Sequence, residues 1–392
     1  MRIGVDFGTT NSKIAYMPSR DRLALFKFPG ESGNTYIPTA VAYERQTPEQ
    51  PPLIGEAARS AMQNTPEGVD YCVSFKMLLP IESKDEWRRE GWRSQRTPIE
   101  ATSDYLRELL YNDPLSFTKA RGTIESAVVS VPQVWQDGSN GNLQALDLGR
   151  ETLQQILLDR LRLPLDHIRS EPVCAAAYYA WRYQQLEGQE RRREPFKGNL
   201  LVCDMGGGTF DVALCHVNDK QITVKEFEGN GKSGIERAGV AFDRAMVIAA
   251  YQDKHKAAPD LASAEFVDML IDFERLKILN HPKLVNRLDA YSGSLGLDGV
   301  MSEAPTEYDD AAIYQMKGGY VFTLRHIREA FRPVRAGIKE VLSRISQRMS
   351  AKGEKVDRLA IVGGFGQFPF VRHAILKELN ISPTGDVRYD AT

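Results

Sequence analysis

No run of eighteen uncharged apolar residues occurs in the 392-residue sequence, so no membrane-spanning helix is expected. Asp6 interrupts the first apolar run, which argues against a secretory signal, and the reading is a soluble, cytoplasmic protein without membrane partners. Cysteine is scarce: four residues, at 72, 174, 203 and 215, with no C-x-x-C pair among them. That spacing excludes a disulfide frame and a thiolate zinc site, and cysteines within apolar runs read as small buried hydrophobes in a reducing compartment. The six histidines are scattered, without zinc spacing. An excess of positive charge is also missing, since 50 Lys and Arg face 52 Asp and Glu for a net charge of −2. Phosphate backbones are bound by clustered cations, so nucleic acid is not the expected partner.

What is present is length enough for two or more domains and a distinctive start, "MRIGVDFGTTNSKIAYM". A β-type apolar run ends in Asp6, a Gly-Thr-Thr-Asn-Ser turn follows, and a second apolar run leaves it. The segment "GNLLVCDMGGGTFDVALCH" repeats the design. Asp6 aligns with Asp204, Gly8 with Gly206, Ile14 with Val212 and Ala15 with Ala213, each pair offset by 198 (204 − 6, 206 − 8, 212 − 14, 213 − 15). The offset is about half the chain and predicts two related lobes, each starting with a hairpin whose turn carries an aspartate. An ordinary tight hairpin would account for one copy; two copies in matched register ask for a shared role.

Glycines allow backbone N–H groups to crowd around an anion, and threonine hydroxyls add donors. A carboxylate beside such a nest repels phosphate unless a cation lies between them. Aspartate with a phosphate turn therefore implies Mg²⁺, and two facing copies would clamp a polyphosphate. A third unit, "RLAIVGGFGQFPFVRHAILKEL" (358–379), reads as strand, glycine-rich turn and amphipathic helix, with backbone opened for a ligand at the helix start. Gly231-Lys232-Ser233 imitates a P-loop but has Glu226 where that motif needs glycine, so 228–234 reads as a loop. The arginine-rich stretches 86–96 and 189–198 also contain glutamates; they read as a solvated hairpin and an interlobe connection.

Five stretches, "GVDFGTTNSKIAY", "VVSVP" (128–132), "EPVCAAAYY" (171–179), "DMGGGTFDVAL" (204–214) and "VGGFGQFPFV" (362–371), resemble the ATPase domain of Hsp70 chaperones, in the actin, hexokinase and Hsp70 superfamily. The likeness runs through essentially the whole chain in order. It implies an α/β fold of the actin-like (ribonuclease H-like) kind, with two lobes of mixed five-stranded sheets around a nucleotide cleft. It further implies that Asp6 and Asp204 hold a hydrated Mg²⁺. Thr9, Thr10 and the Gly206, Gly207 and Gly208 backbone, with Gly8 in the first turn, would touch the β- and γ-phosphates of ATP or ADP, and Thr209 would line the γ-phosphate. Lys76 would position the attacking water, with Glu171 and Asp211 completing the polar network. Gly363 and Gly364 would pass beneath the adenosine, Glu274 and Lys277 would reach ribose and adenine, Gly239 would lie near the ribose, and Asp390 would begin the last ATPase-domain segment.

The sequence departs from the family where two arginines usually sandwich adenine, with Ile278 and Gln367 in their places. Pro132 matches a relay proline whose arginine partner is here Asn140, and the glycine pair near the ribose reads Ala238-Gly239. The expected first lobe is 1–190 with an inserted subdomain at 37–110; the second is 196–392 with an insertion at 236–318. A helical pattern over 323–351 is expected to break at Pro333, and the helix from Phe370 to pack back toward the first lobe. The resemblance implies that linker and substrate-binding domain lie outside this sequence. The leading expectation is a slow Mg-ATPase switch, chaperone-related, working with a co-chaperone, an exchange factor or a client-binding subunit. The alternatives are a nucleotide-binding scaffold read by a partner, an ATP-dependent filament former and, last, a small-molecule kinase.

Overall fold

Ile3, Val5 and Phe7 are buried and alternate with Arg2, Gly4 and Asp6, the period of two that makes Arg2–Phe7 a strand with one covered face (β1). This computed structural model describes residues 1–19, 22–31, 33–112, 114–133, 135, 143–185, 196–218, 221–229, 238–301 and 307–381. β1 pairs antiparallel with β2 (Asn11–Ser19), which carries β3 (Arg22–Leu25) and the short β4 (Ile37–Pro38). An insertion follows, of β5 (Ala40–Glu44), β6 (Leu53–Ile54), α1 (Gly55–Asn64) and β7 (Val69–Val73), whose strands form a separate sheet in the order β6-β5-β7. A 3₁₀ turn at Phe75–Leu78 leads to α2 (Lys84–Arg89) and α3 (Pro98–Arg107). Thr97 and Glu100 close a reciprocal capping box at α3, with Pro98 in the first turn, where a missing N–H costs nothing.

After α4 (Phe117–Arg121), the Val-rich β8 (Ser126–Val131) lies parallel to β1, as a strand covered on both faces should. α5 (Leu143–Gln155) and β9 (Leu165–Ser170) complete a six-stranded first sheet, β3-β2-β1-β8-β9 with β4 beside β2, one strand more than expected. α6 (Glu171–Gln185) starts directly at the end of β9.

The second lobe repeats the plan. β10 (Gly198–Met205) pairs antiparallel with β11 (Phe210–Asn218), then β12 (Gln221–Gly229). The insertion comprises α7 (Gly239–His255), α8 (Ala264–Leu279), α9 (His281–Val300), β13 (Ala312–Met316) and β14 (Tyr320–Thr323). α10 (Leu324–Ala351), β15 (Arg358–Val362) and α11 (Pro369–Glu378) finish the described chain. Among the described residues this sheet has four strands, β12-β11-β10-β15, rather than five. The internal repeat holds in register: Val5 pairs with Ile14 as Cys203 does with Val212, and Asp6 with Lys13 as Asp204 does with Asp211. The parallel neighbours match too, Val129 beside Val5 and Ile361 beside Cys203.

Other expectations change. Residues 98–110 bridge the inserted sheet and the first sheet: Tyr43 donates its hydroxyl to Asp104 (2.9 Å), while Tyr105 and Leu106 share a core with Val5 and Phe7, the Tyr105 ring 6.1 Å from that of Phe7. α6 crosses the expected lobe boundary, because Ala176 and Tyr179 pack on the β10–β11 face. Residues 86–96 are no solvated hairpin; α2 starts at a Ser83 cap, and Trp87 and Trp92 turn inward, each donating its indole N–H to a backbone carbonyl. Pro333 does not break α10, whose buried stripe (Ile327, Phe331, Val334, Ile338, Val341, Ile345) continues on both sides of it. Burial of that stripe outweighs the roughly 3 kcal/mol cost of an interior proline. α11 packs on α10 within the second-lobe core, through Phe370, Val371, Ala374 and Ile375, instead of against the first lobe. Cys72, Cys203 and Cys215 are buried, and all four cysteines are free. No described helix is long and apolar enough to cross a membrane. Residues 230–234 of the loop, residues 189–195 of the basic stretch, Asn140 and Asp390 lie outside the described residues.

Candidate functional site

The β1–β2 turn is anchored by the entry to the first insertion. Thr39 donates its N–H to the Thr10 carbonyl (2.8 Å) and its hydroxyl to the Gly8 carbonyl (2.9 Å), and its Oγ1 lies 2.9 Å from Ser12 Oγ. The β10–β11 turn is tied to a helix start instead. Gly206 donates to the Thr209 carbonyl (3.1 Å), while the first amides of α7, Gly239 and Val240, donate to the carbonyls of Gly206 (3.3 Å) and Gly207 (2.8 Å). The N-terminal end of a 17-residue helix thus borders the second turn, bringing its partial positive charge.

The two turns face each other directly. A Cβ on Gly208 would lie 2.6 Å from Thr9 Oγ1 and 2.9 Å from Met77 Sδ, and one on Gly207 would overlap the Thr10 side chain. Only glycine permits this approach. Gly363, following β15, has φ +86°, and a Cβ there would meet Asp204 Oδ1 at 2.6 Å. Gly206 and Gly364 face open space. The three glycine-bearing turns therefore converge around Asp204.

Carboxylates dominate the electrostatics. Lys76, 1 % exposed, forms an ion pair with Glu171 (Nζ–Oε1 2.6 Å). Burial pushes the Glu171 carboxyl above its ordinary range; Lys76 pulls it back and Asp6 pushes it up further. Asp204 is raised well above the usual carboxylate value by burial and then by Glu171, Asp211 and Asp6, with Lys76 the opposing charge. Asp6 and Asp204 thus share one electrostatic environment, although they come from opposite halves of the chain. Asp204 and Asp211 are direct cross-strand partners, and like charges at that spacing repel. Asp6 accepts a hydrogen bond from Ser130 Oγ (3.1 Å). Four carboxylates against one lysine suit a cation arriving with its own water. Among the described residues, no group of three or more His, Cys, Asp or Glu is set to hold a metal ion directly.

Glu274 and Lys277 are engaged elsewhere. Glu274 accepts from Arg59 of α1 at 2.5 Å, across the two insertions. Lys277 donates to both Asp243 oxygens at 2.6 Å, and its ammonium lies 5.5 Å from the Phe365 ring centroid. It thereby ties α8 to α7 beside the Gly363–Gly364 turn. Ile278 is half exposed at the end of α8, while the Gln367 Nε2 atom is buried with no partner among the described residues.

Sequence reasoning missed Ser130, Thr39, Trp135 and Arg59. Ser130 stands in the quoted "VVSVP", and the β1–β8 register that places it opposite Asp6 would have singled it out. Trp135 donates its indole N–H to the Lys76 carbonyl (3.1 Å). The tie of Arg59 to Glu274 has no local signal, because the two are 215 residues apart.

No family model matches the chain. A curated relative, the chaperone protein DnaK of Mycoplasmoides gallisepticum, is 28 % identical to it over 232 residues, 59 % of this chain and 33 % of the relative. The match therefore spans about a third of that protein's length. The similarity is to an Hsp70-type chaperone, over rather more than half of the present sequence.

Proposed function

We propose that the chain binds Mg-ATP between its two acidic turns and hydrolyses it slowly, as a conformational switch of the Hsp70 type on an actin-like fold. The observation that carries this reading is the convergence of Asp6, Asp204, Glu171 and Lys76 at facing glycine–threonine turns. Thr9, Thr10, Thr209 and the Gly207 and Gly208 amides are the donors for phosphate oxygens, while the Gly206 amide closes the turn on the Thr209 carbonyl. Asp6 and Asp204 are the anchors for water around magnesium, which when bound offsets charge on the β- and γ-phosphates. Glu171 holds Lys76 by its ammonium, so the cation stays directed at the acidic centre instead of at solvent. Asp211 and Glu171 orient water, and the chain supplies position and charge, not a covalent partner. Gly239, Gly363 and Gly364 line the nucleoside side. Lys277 would reach the base or ribose on leaving Asp243, and Glu274 on leaving Arg59, while Asp390 is proposed only by the resemblance. The similarity to a DnaK chaperone supports a protein partner: a co-chaperone, an exchange factor or a client-binding subunit.

The test is single-turnover phosphate release from bound ATP. Lys76→Ala should retain ATP binding and lose about two orders of magnitude or more in rate. Undiminished release would remove Lys76 from the mechanism. Ile278 and Gln367, where stacking cations are expected, favour a second reading, a nucleotide-binding scaffold with little hydrolysis. Wild-type protein that binds Mg-ATP but releases no phosphate over hours would establish that reading instead.

A further inference from the structure

Among the described residues, the Lys76 ammonium pairs with Glu171 and has two aromatic neighbours. The ring centroids of Phe7 and Trp135 each lie 5.7 Å from Nζ, within the range where a ring face attracts a cation. Phe7 directly follows Asp6 and is fully buried. Trp135 is 3 % exposed and comes from the segment after β8. Its indole N–H reaches back to the Lys76 carbonyl at 3.1 Å. One side chain therefore touches the lysine at both ends: the backbone through a hydrogen bond, and the ammonium through the ring.

The indole has little freedom to do otherwise. A Cβ on Gly149 of α5 would meet Trp135 Cδ2 at 2.8 Å and Cε3 at 3.0 Å, so the helix backbone lies close against the ring. Leucine or valine could fill such space, but neither could hold a carbonyl and a cation together. We infer that Trp135 is a positioning residue for Lys76, fixing the Phe75–Leu78 turn so that the ammonium meets Glu171 and the acidic centre. The kinetic consequence rests on the ATPase reading above; the placement of the lysine does not.

The experiment pairs a placement readout with a kinetic one. Lys76 acetylation by acetic anhydride is followed by mass spectrometry in nucleotide-free protein, with exposed Lys84 as internal reference. Single-turnover hydrolysis and ATP affinity are measured on the same samples. Trp135→Phe keeps a ring and removes the donor. It should speed Lys76 acetylation about fivefold while leaving Lys84 unchanged, the factor of one lost hydrogen bond. Hydrolysis should slow about tenfold with ATP affinity unaltered, because only the geometry of the lysine has changed. Gly149→Ala displaces the same indole from outside and should shift Lys76 reactivity in the same direction, so the test survives if Trp135→Phe fails to fold. Unchanged Lys76 reactivity in a folded variant overturns the inference. Wild-type protein that hydrolyses no ATP would refute the ATPase reading, while the acetylation result would still decide the role of Trp135.

Discussion

Removing Arg59 should unfasten the two insertions from each other. Arg59 on α1 pairs with Glu274 on α8 at 2.5 Å and with Glu56 at 3.2 Å, and its side chain is 8 % exposed against 17 % for Glu274. Around this pair Arg275 bonds Glu56 and Gln63, and Gln63 donates to Asp268 (2.6 Å) and Asp272 (3.0 Å). Ile271 of α8 fills an apolar centre with Ala42, Ala58 and Met62. Truncating one member of a largely buried pair leaves the other charge desolvated, a cost of about 3 kcal/mol. Because that pair joins the two insertions, the cost falls on α1 and α8, which fray on losing the contact that packs them together, while the main sheets stay folded. Arg59→Ala should therefore raise amide exchange throughout 55–64 and 264–279 about 100-fold, the factor that corresponds to about 3 kcal/mol. Glu274→Ala should behave similarly, and the double variant should be less open than the sum by about 2 kcal/mol, since no charge is stranded. Exchange within threefold of wild type in both helices, or strictly additive effects, would refute the reasoning.

Gly208→Ala should force the turns apart, because the methyl would lie 2.6 Å from Thr9 Oγ1; we expect a loss of about 1–3 kcal/mol in urea unfolding and weakened ATP binding by calorimetry. Burial raises the Glu31 carboxyl from 4.5 to about 7, so the folded protein holds that proton more tightly than the unfolded chain. Its contribution to stability is complete below about pH 4.5 and declines as pH rises to about 7. Glu31→Gln, which keeps an acceptor for the Glu56 N–H (2.9 Å), should flatten that slope in unfolding measured from pH 4.5 to 8. If Ile278 and Gln367 stand where the Hsp70 resemblance puts two stacking arginines, calorimetric titration should find weak ATP binding and poor discrimination against GTP, since two cationic stacking contacts of about 0.5–2 kcal/mol each would be missing. Tight binding with full adenine preference would contradict this.

The parts of the fold most legible in the sequence were those governed by short-range pattern. The 198-residue offset between Asp6 and Asp204 (204 − 6) foretold two hairpins whose registers superpose pair by pair. Alternation and consecutive glycines are local properties, and they survive folding. Pro333 misled for the opposite reason: its local penalty was visible, while the long buried stripe of α10 that overrides it belongs to the whole lobe. α11 misled similarly, because an amphipathic face announces that it will be buried but not against what. Asp204 stands out in its glycine-rich turn, whereas Lys76 carries no local signal and is singled out only by the resemblance to Hsp70. The links of Glu274 to Arg59 and of Lys76 to Trp135 arise only when segments distant in sequence are brought together.

The first insertion leaves and rejoins the rest of the chain beside the two facing turns. Thr39, where it departs, holds the first turn by two hydrogen bonds, and Lys76, where it returns, holds Glu171. It is a handle welded at both roots to the machinery. A torque on its outer surface would reach the first turn and the lysine together. A protein gripping α1 from outside would thus have leverage on the first turn and on Lys76 from a distance.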